Sequence, residues 1–545
     1  MRITILSWSG LLHRWAAVLA LSVLAWLPQQ SHAALEAGLL QQLATGSISA
    51  RADAIASMGL LDDPMAETVL RAMQDGLLRA TPDGQLWIEQ PDGSATNVAN
   101  GAITAMPGDA RRITINNRLR RALALALATK QLHAQDSQQR LAAAQQLRNS
   151  DDTQLLPAIQ AALQRESNAR VRDALEVAKA NLELQSSDSA TRLQAVQTLG
   201  RLKDASFRSA LEALTRQEGG QWREPDAEVR AAAAQAVAAI DAHVRTVQWV
   251  GNAFYGLSLG SVLLLAALGL AIIFGLMGVI NMAHGEFLMI GAYATYVVQM
   301  AFRQWAPGWL DWYVIAALPV AFVATACVGM VLERTVIRWL YGRPLETLLA
   351  TWGISLILMQ AVRSLFGAQN VEVANPGWLS GGVEVMNGLV LSYNRLAVIA
   401  FSLLVVLFVW LLLNHTRLGL FVRAITQNRR MADCVGVPTG RVDMLTFGLG
   451  AGIAGLGGVA LSQLGNVGPD LGRAYIIDSF MVVVLGGVGQ LAGTVIAAFG
   501  LGAIGKFIEP FSGAVLAKIA ILVLIVLFIQ KRPQGLFAPK GRSVE

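Results

Sequence analysis

Cysteine is almost absent from this chain, with two among 545 residues. Cys327 stands in an apolar run and Cys434 in a basic loop, so no disulfide framework and no C-x-x-C metal spacing is available. Charge is also scarce: 15% of residues are charged against 54% hydrophobic, and the mean hydropathy is +0.47. That balance excludes an ordinary soluble protein and points to a membrane. Histidine is rare, and His133 and His243 have no second histidine or cysteine nearby, so they read as solvated helix positions rather than zinc ligands. A pI near 9.5 would suit nucleic acid only with a clustered basic surface interleaved with aromatics. Here the excess lies in short loops between apolar runs, and no nucleic-acid partner is expected.

What is present divides into two halves. Residues 1–251 carry 25 basic and 25 acidic side chains, and residues 252–545 carry 18 and 12, so the net charge of +6 belongs to the second half. The N-terminus has a basic start (Arg2, Arg14), an apolar stretch from Trp15 to Leu27 and the small-x-small exit Ser31-His32-Ala33. These describe a secretory signal peptide, residues 1–33. The alternative is an uncleaved first membrane helix, for which roughly a dozen apolar residues fall short of the ~20 that a span needs.

Residues 34–250 read as an exported soluble domain. From Asn117 to about Arg245 the chain is rich in Ala, Leu, Gln and Arg, with apolar residues three and four apart, which predicts helices. Residues 139–147 resemble 191–199, and Ala169–Ala174 resembles Ala227–Ala232. Helix pairs that bury their apolar stripes only against neighbours look like HEAT-type repeats. Before them, residues 84–89 and 112–115 read as two short strands that could make a small hairpin. No catalytic set is found here, and docking of another protein is the expected role.

Residues 251–538 read as a polytopic membrane domain, followed by a tail at 539–545. Apolar runs at 261–280, 286–302, 312–332, 347–362, 396–413, 444–469, 479–505 and 513–530 are the helix candidates. Basic loops at Arg334–Arg343 and Arg417–Arg441, and the tail after Lys531, are expected in the cytoplasm. The loop 367–394, acidic before Arg395, is expected outside. An odd number of crossings then requires 475–507 to enter and return, with the break at Gly486-Gly487-Val488-Gly489-Gln490. Such a break is tolerated at depth only where it lines a cavity or is buried in protein. Residues 444–505 hold 16 of the 51 glycines, which predicts close helix packing. The G-x-G-x-x-G pattern at 450–455 lacks a preceding strand and an acidic ribose ligand. The G-x-x-x-x-G-K pattern ending at Lys506 is followed by Phe507 where a magnesium-holding hydroxyl would stand. Neither is a nucleotide site, and this chain is not expected to hydrolyse ATP or to hold a metal or cofactor.

Two segments are more specific. Asn281, His284 and Glu286 stand between apolar helices, where polar groups are costly and should face a cavity or protein; the competing reading is that they cap helix ends at the membrane surface. In the basic loop, a helix over about Gln427–Val435, stopped by Gly436 and Pro438, would lie along the membrane and present Met431, Ala432 and Val435 to a partner. Alternatively the loop rests on anionic lipid.

Taken together, the run Gly278–Glu286 (GVINMAHGE), the loop ending ADCVGV at 432–437 and VLGGVG at 484–489 resemble the branched-chain amino acid permease family of ABC importers, over roughly residues 250–538. The resemblance implies an all-α, polytopic permease subunit that pairs with a sister permease, two cytoplasmic ATP-binding subunits and a periplasmic solute-binding protein. It implies an inner-membrane location with the N-terminal domain periplasmic and the C-terminus cytoplasmic. Arg423, Asn428, Met431, Ala432 and Gly436 become the ATPase-coupling residues. The exported helical domain departs from ordinary amino acid permeases; fused to a signal peptide and this permease, it resembles the urea importer branch. Urea is neutral and polar, so its path needs amide or hydroxyl partners rather than charge, for which Asn281, Gln360, Gln463 and Gln490 are the candidates; His284 and Glu286, polar between apolar helices, are the further candidate pathway residues. Branched-chain amino acids are the alternative substrate. An ATP-independent channel or secondary transporter would need a paired acid and base or a full internal repeat, of which only a faint similarity between 268–293 and 449–475 is visible. A membrane scaffold that transports nothing is the third reading.

Overall fold

The computed structural model describes residues 36–537 apart from Asp62 and Asp92. The expected signal peptide and the 539–545 tail lie outside the described residues. Two compact units divide between Ala242 and His243.

The first unit opens with helices α1 (Ala37–Thr45), α2 (Ile48–Leu60) and α3 (Pro64–Gln74). Strands β1 (Leu78–Ala80), β2 (Leu86–Glu89), β3 (Ser94–Asn97), β4 (Ile103–Ala105) and β5 (Arg111–Arg112) follow in an antiparallel sheet ordered β4-β3-β2-β1-β5. Both runs expected as strands contain strands, but they are not partners: β2 pairs with β1 and β3, and β5 reaches the sheet only along β1. The intervening strand at Leu78–Ala80 is three residues long, too short for an alternating pattern to stand out. The sheet is also a departure from an all-α unit. Its Leu78, Leu86 and Ile88 share one apolar core with Leu43, Ile55, Leu70 and Leu119.

Helices then dominate: α4 (Asn117–Gln131), α5 (Ser137–Leu147), α6 (Leu156–Arg165), α7 (Ala169–Glu183), α8 (Ser189–Leu202) and α9 (Arg208–Leu214), then a hairpin of β6 (Gln217–Glu218) and β7 (Gln221–Trp222). Side chains of Asn116, Asp136, Asn168 and Asp188 accept first-turn backbone N–H groups, satisfying donors that a helix leaves open. A polar clamp is used twice. Arg140 donates to both oxygens of Glu166 (2.7 and 3.1 Å) and to the carbonyls of Ala134 and Gln135. Fifty-two positions on, Arg192 donates to both oxygens of Glu224 (2.9 and 2.7 Å) and to the carbonyls of Ser186 and Ser187. Each glutamate also accepts the backbone N–H two residues ahead, that of Asn168 or Asp226. The segments that resemble each other in sequence therefore share one hydrogen-bond pattern.

In the second unit, α10 (Ala227–Met277), which begins in the first unit, is followed by α11 (His284–Trp305), α12 (Tyr313–Thr335), α13 (Pro344–Phe366), the hairpin β8 (Gly382–Met386) and β9 (Leu389–Ser392), α14 (Tyr393–His415), α15 (Arg417–Gln427), α16 (Arg429–Cys434), α17 (Thr439–Ser462), α18 (Leu471–Gly486) and α19 (Leu491–Lys531). Among the described residues, six helices are long and apolar enough to cross a membrane, those containing α10, α12, α13, α14, α17 and α19. Helix α17 is central and buried along most of its length, with α11 and α12 against it. Its glycines permit this, since any side chain at Gly458 would meet the backbone of Leu288 and Ala292. The break expected at 486–490 is present: α18 stops at Gly486, and Gly487 and Gly489 take positive φ of 100° and 80°. A second break falls inside α19, at Gly513 (φ 78°), three residues after Pro510.

Candidate functional site

Helix α11 starts deep in the bundle. Non-helical residues 278–283 precede it, and Asn281, His284 and Glu286 are all at most 3% exposed. Asn281 Oδ1 accepts the Ala283 N–H at 3.0 Å, a local turn of the kind a cap makes. All three are buried against protein at the start of α11. His284 Nε2 sits 3.0 Å from the Ala266 carbonyl of α10; a carbonyl only accepts, so Nε2 carries the proton. Glu286 faces elsewhere: Ser355 Oγ of α13 donates to its Oε1 at 2.8 Å, and the Met282 N–H donates to Thr351 Oγ1 at 3.1 Å. Two positions on a helix of 3.6 residues per turn are about 200° apart, which is why His284 and Glu286 address different neighbours and make no single site.

The glutamines separate further. Gln463 is buried at the end of α17, its Nε2 donating to the Tyr313 hydroxyl (3.1 Å) and to Ser462 Oγ (3.1 Å) while its backbone carbonyl accepts from Asn394 Nδ2. Tyr313 and Gln299 both donate to the Ala374 carbonyl. Gln360 is exposed on the outer face of α13 and Gln490 lies in the turn before α19. The six expected pathway residues therefore do not converge on one site.

The basic loop folds into α15 and α16. Asn428 caps α16 by accepting the Met431 N–H (3.0 Å), and Gly436 at φ 86° takes the chain out through the left-handed region. Met431 and Val435 are 59% and 73% exposed, four residues apart and so on one face. Ala432 is a correction: it is 3% exposed and packs with Val422, Ile425, Val437 and Val442, because the next position along a helix turns by about 100° from the presented face. Arg423 Nη1 donates to the Leu413 carbonyl. Arg429 ion-pairs with buried Asp443 of α17 and stacks over the Tyr341 ring at 4.9 Å, and Tyr341 in turn donates to buried Glu333 at 2.9 Å. Sequence reading passed over Thr351, Ser355, Tyr313, Tyr341 and Asp443. For the first two a signal exists, hydroxyls at 347, 351 and 355, one turn apart in an apolar helix; Tyr341 and Asp443 lie eight and fourteen positions from Glu333 and Arg429, across a change of element, and no pattern announces those pairs.

Residues 252–529 match the family model described as "branched-chain amino acid transport system / permease component". Over 287 residues the chain is 30% identical to the high-affinity branched-chain amino acid transport system permease protein BraD of Pseudomonas aeruginosa, covering 52% of this chain and 93% of that protein. LivH of Escherichia coli (strain K12), of the same description, is 29% identical over 290 residues, again 52% and 93%. A shorter match, 27% over 140 residues, is to the ribose import permease protein RbsC of Escherichia coli (strain K12), 24% of this chain and 44% of that protein. No solved structure matches.

Proposed function

Because the chain belongs to the branched-chain amino acid transport permease family, we propose that it is the pore-forming subunit of an ABC importer of the inner membrane, energised by ATP hydrolysis in partner chains. The observation that carries this is α16: a capped helix outside the spans, tied to α17 through Arg429 and presenting Met431 and Val435. An exposed apolar pair on a short fixed helix suits insertion into a groove of a partner, here the ATP-binding subunit. Arg423, Asn428 and Gly436 shape the loop, and Ala432 anchors it from below. Belts of exposed tryptophan, Trp305, Trp309 and Trp312 at one end of α11 and α12 and Trp339 at the other, support a bilayer around the unit. The basic 417–441 loop and the C-terminus lie in the cytoplasm on this reading. The first unit is then periplasmic, a HEAT-like domain behind a cleaved signal peptide, available to dock the solute-binding protein. A sister permease completes the pore.

Urea or a similar small amide is the proposed solute, supported by the resemblance of the extended architecture to the urea importer branch; the helical unit lies outside the family match, which begins at residue 252. Branched-chain amino acids are the second reading, favoured by the names of the relatives. Uptake of labelled urea and leucine at micromolar concentration, with and without this gene and metabolic energy, separates them. Energy-dependent urea uptake lost on deletion supports the first, loss of leucine uptake alone the second, and no change in either removes the importer reading. Gly436→Asp should abolish uptake while the chain still inserts, since a side chain is strained at φ 86°; normal uptake would remove the coupling role of the loop.

A further inference from the structure

Helix α13 buries Thr347, Thr351, Ser355, Met359 and Val362, a single stripe at helical spacing, while Leu345, Leu349, Trp352, Ile357 and Leu365 stand exposed on its other faces. Along that stripe lie the residues that precede and open α11. The Met282 N–H meets Thr351, Glu286 meets Ser355, and the Tyr293 ring lies 4.7 Å from that of Phe366. At the Phe366 end Arg363 pairs with Asp470 at 2.9 Å. Among the described residues, three buried polar atoms on this seam have no hydrogen-bond partner: Glu286 Oε2, the Tyr293 hydroxyl and Arg363 Nε. Glu286 and Tyr293 are seven residues apart, two turns, and share one face of α11. Glu286 Oε2 and the Tyr293 hydroxyl therefore lie along one side of α11, facing α13; Asn281 Nδ2, His284 Nδ1, Gln299 Oε1 and Glu333 Oε2 are unpartnered as well. A purely structural seam would close its polar groups, as Thr295 and Thr325 do on carbonyls of their own helices. An ionisable side chain left half-satisfied within a membrane is a functional group by default.

Resting on the importer reading, we propose that the α11–α13 seam is a solute-binding wall of the translocation path, with Glu286 as its central acceptor. Ser355 occupies Oε1 and leaves Oε2 to accept from the solute, which must be small and present an N–H group, whether the amide of urea or the ammonium of an amino acid. Tyr293 lies about 10 Å further along α11 at a rise of 1.5 Å per residue, too far to grip the same small molecule. It is a second station, and Arg363 and Asp470 mark the end of the seam. His284 takes no part, because it addresses α10.

The test uses the full chain with its partner subunits in cells, in a Cys327→Ser, Cys434→Ser background. Ser355→Cys and Thr351→Cys should react with a water-soluble thiol reagent, be shielded by the transported solute, and lose uptake once labelled; Val323→Cys, exposed on α12, is the lipid-facing control and should not react, since the thiolate needs water. Shielding by urea or by leucine identifies which solute supplies the N–H. Glu286→Gln should raise KM roughly tenfold or more, the loss of one charged hydrogen bond, with the protein still inserted, and Tyr293→Phe should raise it less. Reaction indifferent to solute, no reaction at either position with uptake intact, or an unchanged KM in Glu286→Gln would each overturn the seam while leaving the importer standing. Wild-type cells that import neither urea nor leucine would overturn the importer reading and the seam with it.

Discussion

In the first unit Glu166 and Glu224 are buried with both carboxylate oxygens in use, each clamped by an arginine and by a backbone N–H. In the second, Glu286 and Glu333 are buried with one oxygen in use and the other without a partner. The same residue type serves two purposes. A fully satisfied carboxylate fixes how one helix follows another, whereas a half-satisfied one is costly unless something else fills the remaining position. The clamps are architecture, and on the proposed reading the membrane glutamates are positions at which a solute, a partner or a rearrangement completes the bonding.

The sharpest way to break this comparison is to damage the packing that holds the helix of Glu286 in place. Gly285 and Gly472 lie backbone against backbone, so a side chain on either would strike main-chain atoms that cannot turn aside. Gly285→Val should cost about 3 kcal/mol or more through overpacking and should remove the protein from purified membranes, as read by immunoblot. A normal level would mean that α11 and α18 are free to separate. Next comes the clamp. Glu224→Ala strands Arg192, whose side chain is 13% exposed, and breaking such a pair costs on the order of 3 kcal/mol. The 186–240 region of the full chain should become open to protease while uptake by surviving molecules keeps its KM. A changed KM with unchanged protease resistance would reverse the roles assigned to the two kinds of glutamate.

A smaller effect is expected where the proposed coupling loop meets the bundle. Arg429 is the link between α16 and two buried acids, directly to Asp443 and through the Tyr341 ring toward Glu333. Arg429→Ala should leave the chain inserted but lower uptake per molecule of ATP hydrolysed in the assembled importer, because α16 then moves without α17. Arg429→Lys keeps the charge but not the two-pronged fork and should recover only part. An unchanged ratio of uptake to hydrolysis in Arg429→Ala would show that α16 is carried by its apolar contacts to Val422 and Val442 alone.

How far the sequence announced these features follows from the range of each interaction. The helix break at 486–490 and the stop at Gly436 depend on local chemistry, and each is found as a local feature. The clamps were not legible, because Arg140 and Glu166 are 26 positions apart and look like ordinary surface charges. Intramembrane polarity marked Asn281, His284 and Glu286 as unusual but not that they diverge, which needed the helix phase and the neighbours α10 and α13. Glutamines alone were poor guides: Gln360 is as polar as Gln463, yet one faces outward and the other is buried against Tyr313.

The last prediction sharpens the clamp side of the comparison through pH. Hydrogen bonds from Arg140 hold the Glu166 carboxyl below the usual glutamate range. A depressed folded value means that the unfolded chain takes up its proton first as pH falls. The clamp's stabilisation is thus fully present above the unfolded value of about 4.3 and is lost as pH drops through the folded value. Hydrogen exchange of the backbone around Asn168 in the full chain should be steady from pH 7 to 5 after correction for intrinsic rates, and accelerate only in more acid solution. Glu166→Gln should exchange faster at neutral pH and lack most of the acid step, since the titrating group is gone. Loosening of the wild type between pH 7 and 5 would contradict the sign of this shift. An acid step that persists undiminished in Glu166→Gln would assign it instead to Asp188, Glu224 or Asp226, whose carboxyls are also held below their usual ranges.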